Sequence, residues 1–138
     1  MKARIKWVEG VAFVGETGSG HAVVMDGSVE GGGRNLGPRP MEMMLLGAGG
    51  CTSYDVVTIL KKGRADITDC IAEIEAVRAD ADPKVFTKIH LHFIVSGRNL
   101  KHDQVARAIS LSAEKYCSAS IMLGKTAEMT HDFEIVEV

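Results

Sequence analysis

Hydrophobic and polar positions alternate through the first 25 residues. Ala3 to Val8, Val11 to Glu16 and His21 to Met25 each read as a short strand, separated by turns at Glu9-Gly10 and Gly18-Ser19-Gly20. This pattern predicts a three-stranded β meander. Asp26 to Arg39 then holds five glycines, one proline and few apolar residues, which predicts a flexible loop. Pro40 opens a helix at the position where its missing N–H and fixed φ cost nothing, and Gly63 closes it behind Lys61 and Lys62. The helix is apolar on nearly every side from Met43 to Cys51, so it is expected to be buried all round. Gly47, Gly49 and Gly50 are poor helix formers, and their clustering predicts close approach of another backbone.

Alternation returns over Ile67 to Val77 and, more strongly, over Val85 to Ser96. There Ile89, Leu91, Phe93 and Val95 share one face and His90, His92 and Ile94 the other. A second helix is predicted from an Asp103 cap to Cys117, with Val105, Ile109, Ser112 and Tyr116 at helical spacing. Ser118 would cap a short third helix ending at Leu123 before Gly124, and Met129 to Val136 reads as a last strand. The order βββ-α-ββ-αα-β is α+β, expected as one domain over residues 1–138. The central helix carries more apolar surface than five short strands of one subunit can cover. A homodimer is therefore expected, with the helix packed on its symmetry mate.

Composition narrows the chemistry. The chain is 46% apolar and 25% charged with a formal net charge of −2, and its seven aromatics are not interleaved with basic residues, so a nucleic-acid partner is not expected. The N-terminus lacks a signal-peptide apolar core, and the stretch Met43–Cys51 is far short of the ~20 residues of a membrane span. The expectation is a cytoplasmic protein whose three cysteines rest as thiols. Cys51 and Cys117 lie too far apart for a local redox or zinc motif and sit in separate helical patterns.

The segments Pro40-Met41-Glu42 to Gly49-Gly50-Cys51 and Glu114-Lys115-Tyr116-Cys117-Ser118 resemble the OsmC/Ohr family of thiol-dependent hydroperoxide reductases, and the likeness runs over nearly the whole chain. It implies an OsmC-like fold in an intertwined homodimer with long helices at the centre. It further implies that Cys51 attacks an organic hydroperoxide and Cys117 resolves the resulting sulfenic acid to a disulfide. No bound cofactor or metal is expected, and an external dithiol would restore the thiols. In that family an arginine from the N-terminal hairpin activates the cysteine, held by a glutamate one position after the helix-opening proline. Here that position is Met41, and Gly15 to Asp26 contains no arginine. The substitutes are Arg34 or Arg39 from the glycine loop, held by Glu42. The alternative is an OsmC-like protein that binds a small molecule or senses redox state without peroxidase turnover.

The remaining candidates read more plainly. Cys70 is expected to be a small buried hydrophobe. His90 and His92 are expected to be solvated strand histidines, since two ligands do not make a metal site. His21 could approach Cys51 as a base, though nothing in its spacing requires it. Met43, Met44, Leu45 and Leu46 are read first as core and second as the wall of a hydroperoxide pocket.

Overall fold

The N-terminal strands form the meander that their alternation predicts. In the computed structural model, which describes residues 1–138, β1 (Ala3–Glu9), β2 (Ala12–Thr17) and β3 (Ala22–Met25) make an antiparallel sheet in the order β1-β2-β3. Trp7 Nε1 donates to Gly10 O at 2.9 Å and pins the first turn. The chain divides into two units, Met1–Leu46 and Gly47–Val138. The helix α1 (Pro40–Lys62) begins in the first and ends in the second.

The glycine-rich segment carries no helix or strand, in line with the loop its composition predicts. Asp26, only 2% exposed, gathers it: its Oδ1 accepts from Gly27 N at 2.8 Å, and its Oδ2 from Arg34 N at 3.1 Å and Leu36 N at 3.2 Å. Three backbone donors on one carboxylate give the segment a centre that composition does not reveal. The bond from Gly27 lowers the Asp26 pKa, burial opposes it, and the bonds from Leu36 and Arg34 lower it further.

In the second unit, β4 (Asp66–Arg78) pairs antiparallel with β5 (Phe86–Arg98), and β5 pairs parallel with β6 (Glu128–Glu137). A parallel pair needs a crossover, and the helical segment between β5 and β6 supplies it. Ile89, Leu91, Phe93 and Val95 of β5 are buried in the core with Val105, Ala108 and Ile109 of α2 (His102–Leu111). Val56 and Leu60 of α1 are fully buried as well. Each such side chain contributes roughly 1.5–3 kcal/mol by leaving water. The opposite face of β5 carries His90 and His92, which both approach Asp132 Oδ1, at 3.1 and 2.7 Å. That hydrogen bond to Asp132 raises the His92 pKa against the opposing effect of burial.

Several boundaries differ from expectation. The α1 helix is not buried all round within one chain. Ala48, Gly49, Thr52, Val56 and Leu60 are buried, whereas Gly47, Gly50 and Tyr54 are exposed. Of the clustered glycines only Gly49 is crowded, since a β-carbon there would lie 2.8 Å from Ile74 Cδ1, while Gly47 and Gly50 face open space. The left-handed residue after α1 is Arg64 (φ 60°), with Ala65 N donating to Leu60 O at 3.0 Å, rather than Gly63. Gly63 serves instead to let Gln104 Nε2 reach its carbonyl at 3.0 Å. By length and composition α1 as a whole could cross a membrane, unlike the short stretch Met43–Cys51. Its buried positions are Ala48, Gly49, Thr52, Val56 and Leu60, and 28% of its apolar window lies inside the protein.

The second helix does not continue to Cys117. It starts at His102 with Lys101 as its cap, and Asp103 lies in the first turn. It ends at Leu111 and passes into a π-helical turn, Ser112–Tyr116, closed by Cys117 N donating to Ser112 O at 2.8 Å. Cys117 is extended (φ −76°, ψ 97°) and itself caps α3 (Ser118–Leu123), displacing Ser118 from that role. An inserted residue widens the turn and frees Cys117 from the helix, an arrangement common at functional sites.

Asp26 sets a pH dependence. Its depressed pKa means that its stabilisation is present above the ordinary carboxylate range and is lost as pH falls through the lowered value. Asp26→Asn, whose NH2 cannot accept from Arg34 and Leu36, should melt well below the wild type at neutral pH. The gap should close as acid protonates the wild-type carboxyl, which thermal denaturation over a pH series would read out.

Candidate functional site

Cys51 and Asp55 stand one turn apart on α1, so their side chains share a face. The π turn and the cap of α3 bring Cys117 to that same face. The Cys51 and Cys117 sulfurs and an Asp55 carboxylate oxygen all lie within 4.8 Å of one another. The two thiols read as a pair in the sequence therefore meet, both free.

A buried polar network frames them. Thr52 Oγ1 and Ser112 Oγ are 2.8 Å apart, and Ser112 Oγ donates to Asp55 Oδ2 at 3.0 Å. Since Ser112 gives its proton to the carboxylate, Thr52 donates to Ser112. The Cys117 thiol donates to Ser120 Oγ at 3.1 Å, and Ser120 N donates back to the sulfur at 3.3 Å. No buried side-chain polar atom is left without a partner. Burial pushes the Cys117 thiol up, its hydrogen bonds with Ser120 oppose this, and the neighbouring Cys51 thiol adds to the rise.

Thr52 and Ser120 also line a cavity of about 360 Å³, whose walls include Leu91, Phe93, Ile109, Ile121 and Met129. Its apolar surface comes from β5, α2, α3 and β6, not from Met43–Leu46. Ser112, Asp55 and Ser120 escaped sequence reading as site residues. The i, i+4 spacing of Cys51 and Asp55 is the one signal that could have marked the carboxylate.

The proposed supporting residues have partners inside the first unit. Arg34 is ion-paired with Glu9. Arg39 Nη1 donates to Asn35 Oδ1 at 2.6 Å, and its Nε lies 3.7 Å from Glu42 Oε1. Glu42 also accepts from Arg39 N at 2.8 Å, the backward half of a capping box at the start of α1. His21 is exposed in the β2–β3 turn. Cys70 is half-buried on β4, and burial, then Asp69, push its thiol up. It is a free thiol, half-buried where the sequence predicts full burial.

The fold and the thiol pair define a class. Residues 31–132 match the family described as "OsmC-like protein", and the chain belongs to that family. It is 52% identical to "Protein YhfA" of Escherichia coli (strain K12) over 136 residues, covering 99% of this chain and 98% of that one. A solved structural-genomics chain is 51% identical, with a TM-score of 0.91 and full coverage of both chains. At 15% identity the fold alone is shared with the organic hydroperoxide resistance protein OhrB of Bacillus subtilis, with a TM-score of 0.62 over 97% of this chain and 98% of that one.

Ser112 is the side chain on which this arrangement turns. Ser112→Ala leaves the Asp55 carboxylate and the Thr52 hydroxyl without their partner, at a cost of about 1–3 kcal/mol. Urea denaturation should show that loss, and the double variant T52V/S112A should lose less than the two single losses added together.

Proposed function

We propose that this chain reduces organic hydroperoxides by a two-cysteine mechanism, as part of oxidative stress defence. The observation that carries the reading is the approach of the Cys51 and Cys117 sulfurs to within 4.8 Å, with their neighbours Thr52 and Ser120 lining a cavity. The Cys51 thiolate attacks the peroxide: an S–O bond forms, the O–O bond breaks, and the alkoxide leaves and is protonated to an alcohol. The Cys117 sulfur then attacks the sulfenic sulfur, an S–S bond forms, and hydroxide leaves to become water. An external dithiol reduces the disulfide by exchange and is itself oxidised. Leu91, Phe93, Ile109, Ile121 and Met129 of that cavity suit the organic part of a hydroperoxide, beside the polar Glu114, Lys125, Thr130 and His131.

Cys51→Ser should abolish peroxide consumption. Cys117→Ser should stop at a sulfenic acid that a dimedone-type probe captures, while the wild type treated with one equivalent of an organic hydroperoxide forms the Cys51–Cys117 disulfide. Wild-type turnover by Cys51→Ser would sink the reading.

A second reading, small-molecule binding or redox sensing without turnover, is favoured by one observation. Met41 occupies the family's glutamate position, and Arg34, Arg39 and Glu42 are engaged with one another or with Glu9 and Asn35. Under the first reading Arg39, held by Glu42, or Arg34 activates Cys51. Arg39→Ala and Arg34→Ala then slow Cys51 oxidation without changing the fold.

The protein acts as a cytoplasmic homodimer. Gly47, Gly50 and Tyr54 leave one face of α1 open in the second unit, and Ile5, Trp7 and Phe13 are exposed on the meander of the first. A partner copy would cover such surface. Light scattering after size exclusion should give twice the chain mass, and G50L on the open face should shift it toward monomer.

A further inference from the structure

The thiol pair has a third member that peroxide reduction does not use. Asp55 takes part in none of the chain's ion pairs, although its carboxylate is half-buried beside two sulfurs. Two sulfurs and a carboxylate oxygen from two separate segments converge within 4.8 Å of one another. No lysine or arginine hydrogen-bonds to any of the three.

We propose that Cys51, Cys117 and Asp55 form a binding site for a thiophilic divalent cation of the Zn²⁺ class. A tetrahedral zinc ion takes Zn–S of about 2.3 Å and Zn–O of about 2.0–2.2 Å, which sets its ligand atoms roughly 3.3–3.8 Å apart. The three donors, already within 4.8 Å, close on the ion by side-chain adjustment alone. Two thiolates and one carboxylate select zinc over magnesium or calcium, which prefer all-oxygen shells.

The surroundings are built as an outer shell. Ser112 donates to Asp55 Oδ2 and leaves Oδ1 free to bind, while Thr52 holds Ser112. Ser120 N donates to the Cys117 sulfur and orients it. Hydrogen bonds of this kind orient ligands and raise metal affinity. The fourth position is left to water or a small ligand. With both sulfurs on the metal, neither is free to attack a peroxide, so the ion masks the dithiol. The other histidine and carboxylate cluster, His90, His92 and Asp132, is already joined by its own hydrogen bonds on an exposed strand face.

Anaerobic titration of the reduced full-length protein with Co²⁺ alone tests this. One equivalent per chain should give thiolate-to-cobalt charge-transfer absorption and the intense visible bands of a tetrahedral centre, displaced by Zn²⁺. Asp55→Asn and Ser112→Ala should each weaken binding by about 10-fold or more. Cys70→Ser should change nothing. In the wild type, Zn²⁺ should protect Cys51 and Cys117, but not Cys70, from iodoacetamide. These readouts are independent of peroxidase activity, so either idea can fail alone. Absence of charge-transfer absorption in the folded, reduced protein would overturn the proposal. So would alkylation of Cys51 and Cys117 unaffected by Zn²⁺, or cobalt affinity unchanged in Asp55→Asn.

Discussion

One hydroxyl holds the second unit's site together. Ser112 sits where the second helix turns into a π-helical segment, and its Oγ joins Thr52 and Asp55 of α1. The bond is made in the interior, where an unmade partner costs more than a made one contributes. It fixes the rotation of α1 against the C-terminal helical segment. With that rotation set, Cys51 and Asp55 face the turn from which Cys117 projects. Without the widened turn, Cys117 would continue a regular helix and its sulfur would be displaced around the axis by about 100° per residue.

The first unit is ordered by a different device. Asp26 collects three backbone N–H groups from a segment whose glycines give it no side chains to pack. A charged acceptor suits the task because each such bond is stronger than one between neutral groups. The charges that follow are used locally. Glu42 satisfies the first turn of α1 through Arg39 N, a helix-starting role that would exist whether or not the pair serves catalysis.

The thiols differ in their setting. Cys117 is fully buried and caps a short helix through its sulfur, while Cys51 is half-buried on a long one. A buried thiol held up in pKa is a poor first nucleophile but a suitable second one, since it need attack only a sulfur already within reach. The assignment of Cys51 as attacker and Cys117 as resolver in the proposed mechanism is consistent with that asymmetry. Family membership adds the fold and leaves the activity open, because the relative at 52% identity carries a name that states no reaction.

Local chemistry was readable directly. The meander, the Pro40 start of α1, the alternation of β5 and the two cysteine segments all follow from period, turn residues and helix signals acting over a few positions. These are short-range properties, fixed by each residue's own conformational preferences and those of its near neighbours. The parallel pairing of β6 with β5, the π turn before Cys117, the left-handed Arg64 and the folding of the glycine segment around Asp26 were not readable. Each depends on a partner far along the chain. Asp55 shows the division best: its spacing from Cys51 lies in the sequence, but its meaning comes from Ser112 and Cys117, some 60 residues away. Only the folded chain brings them together, because the burial that does so is a property of the whole core and not of any segment.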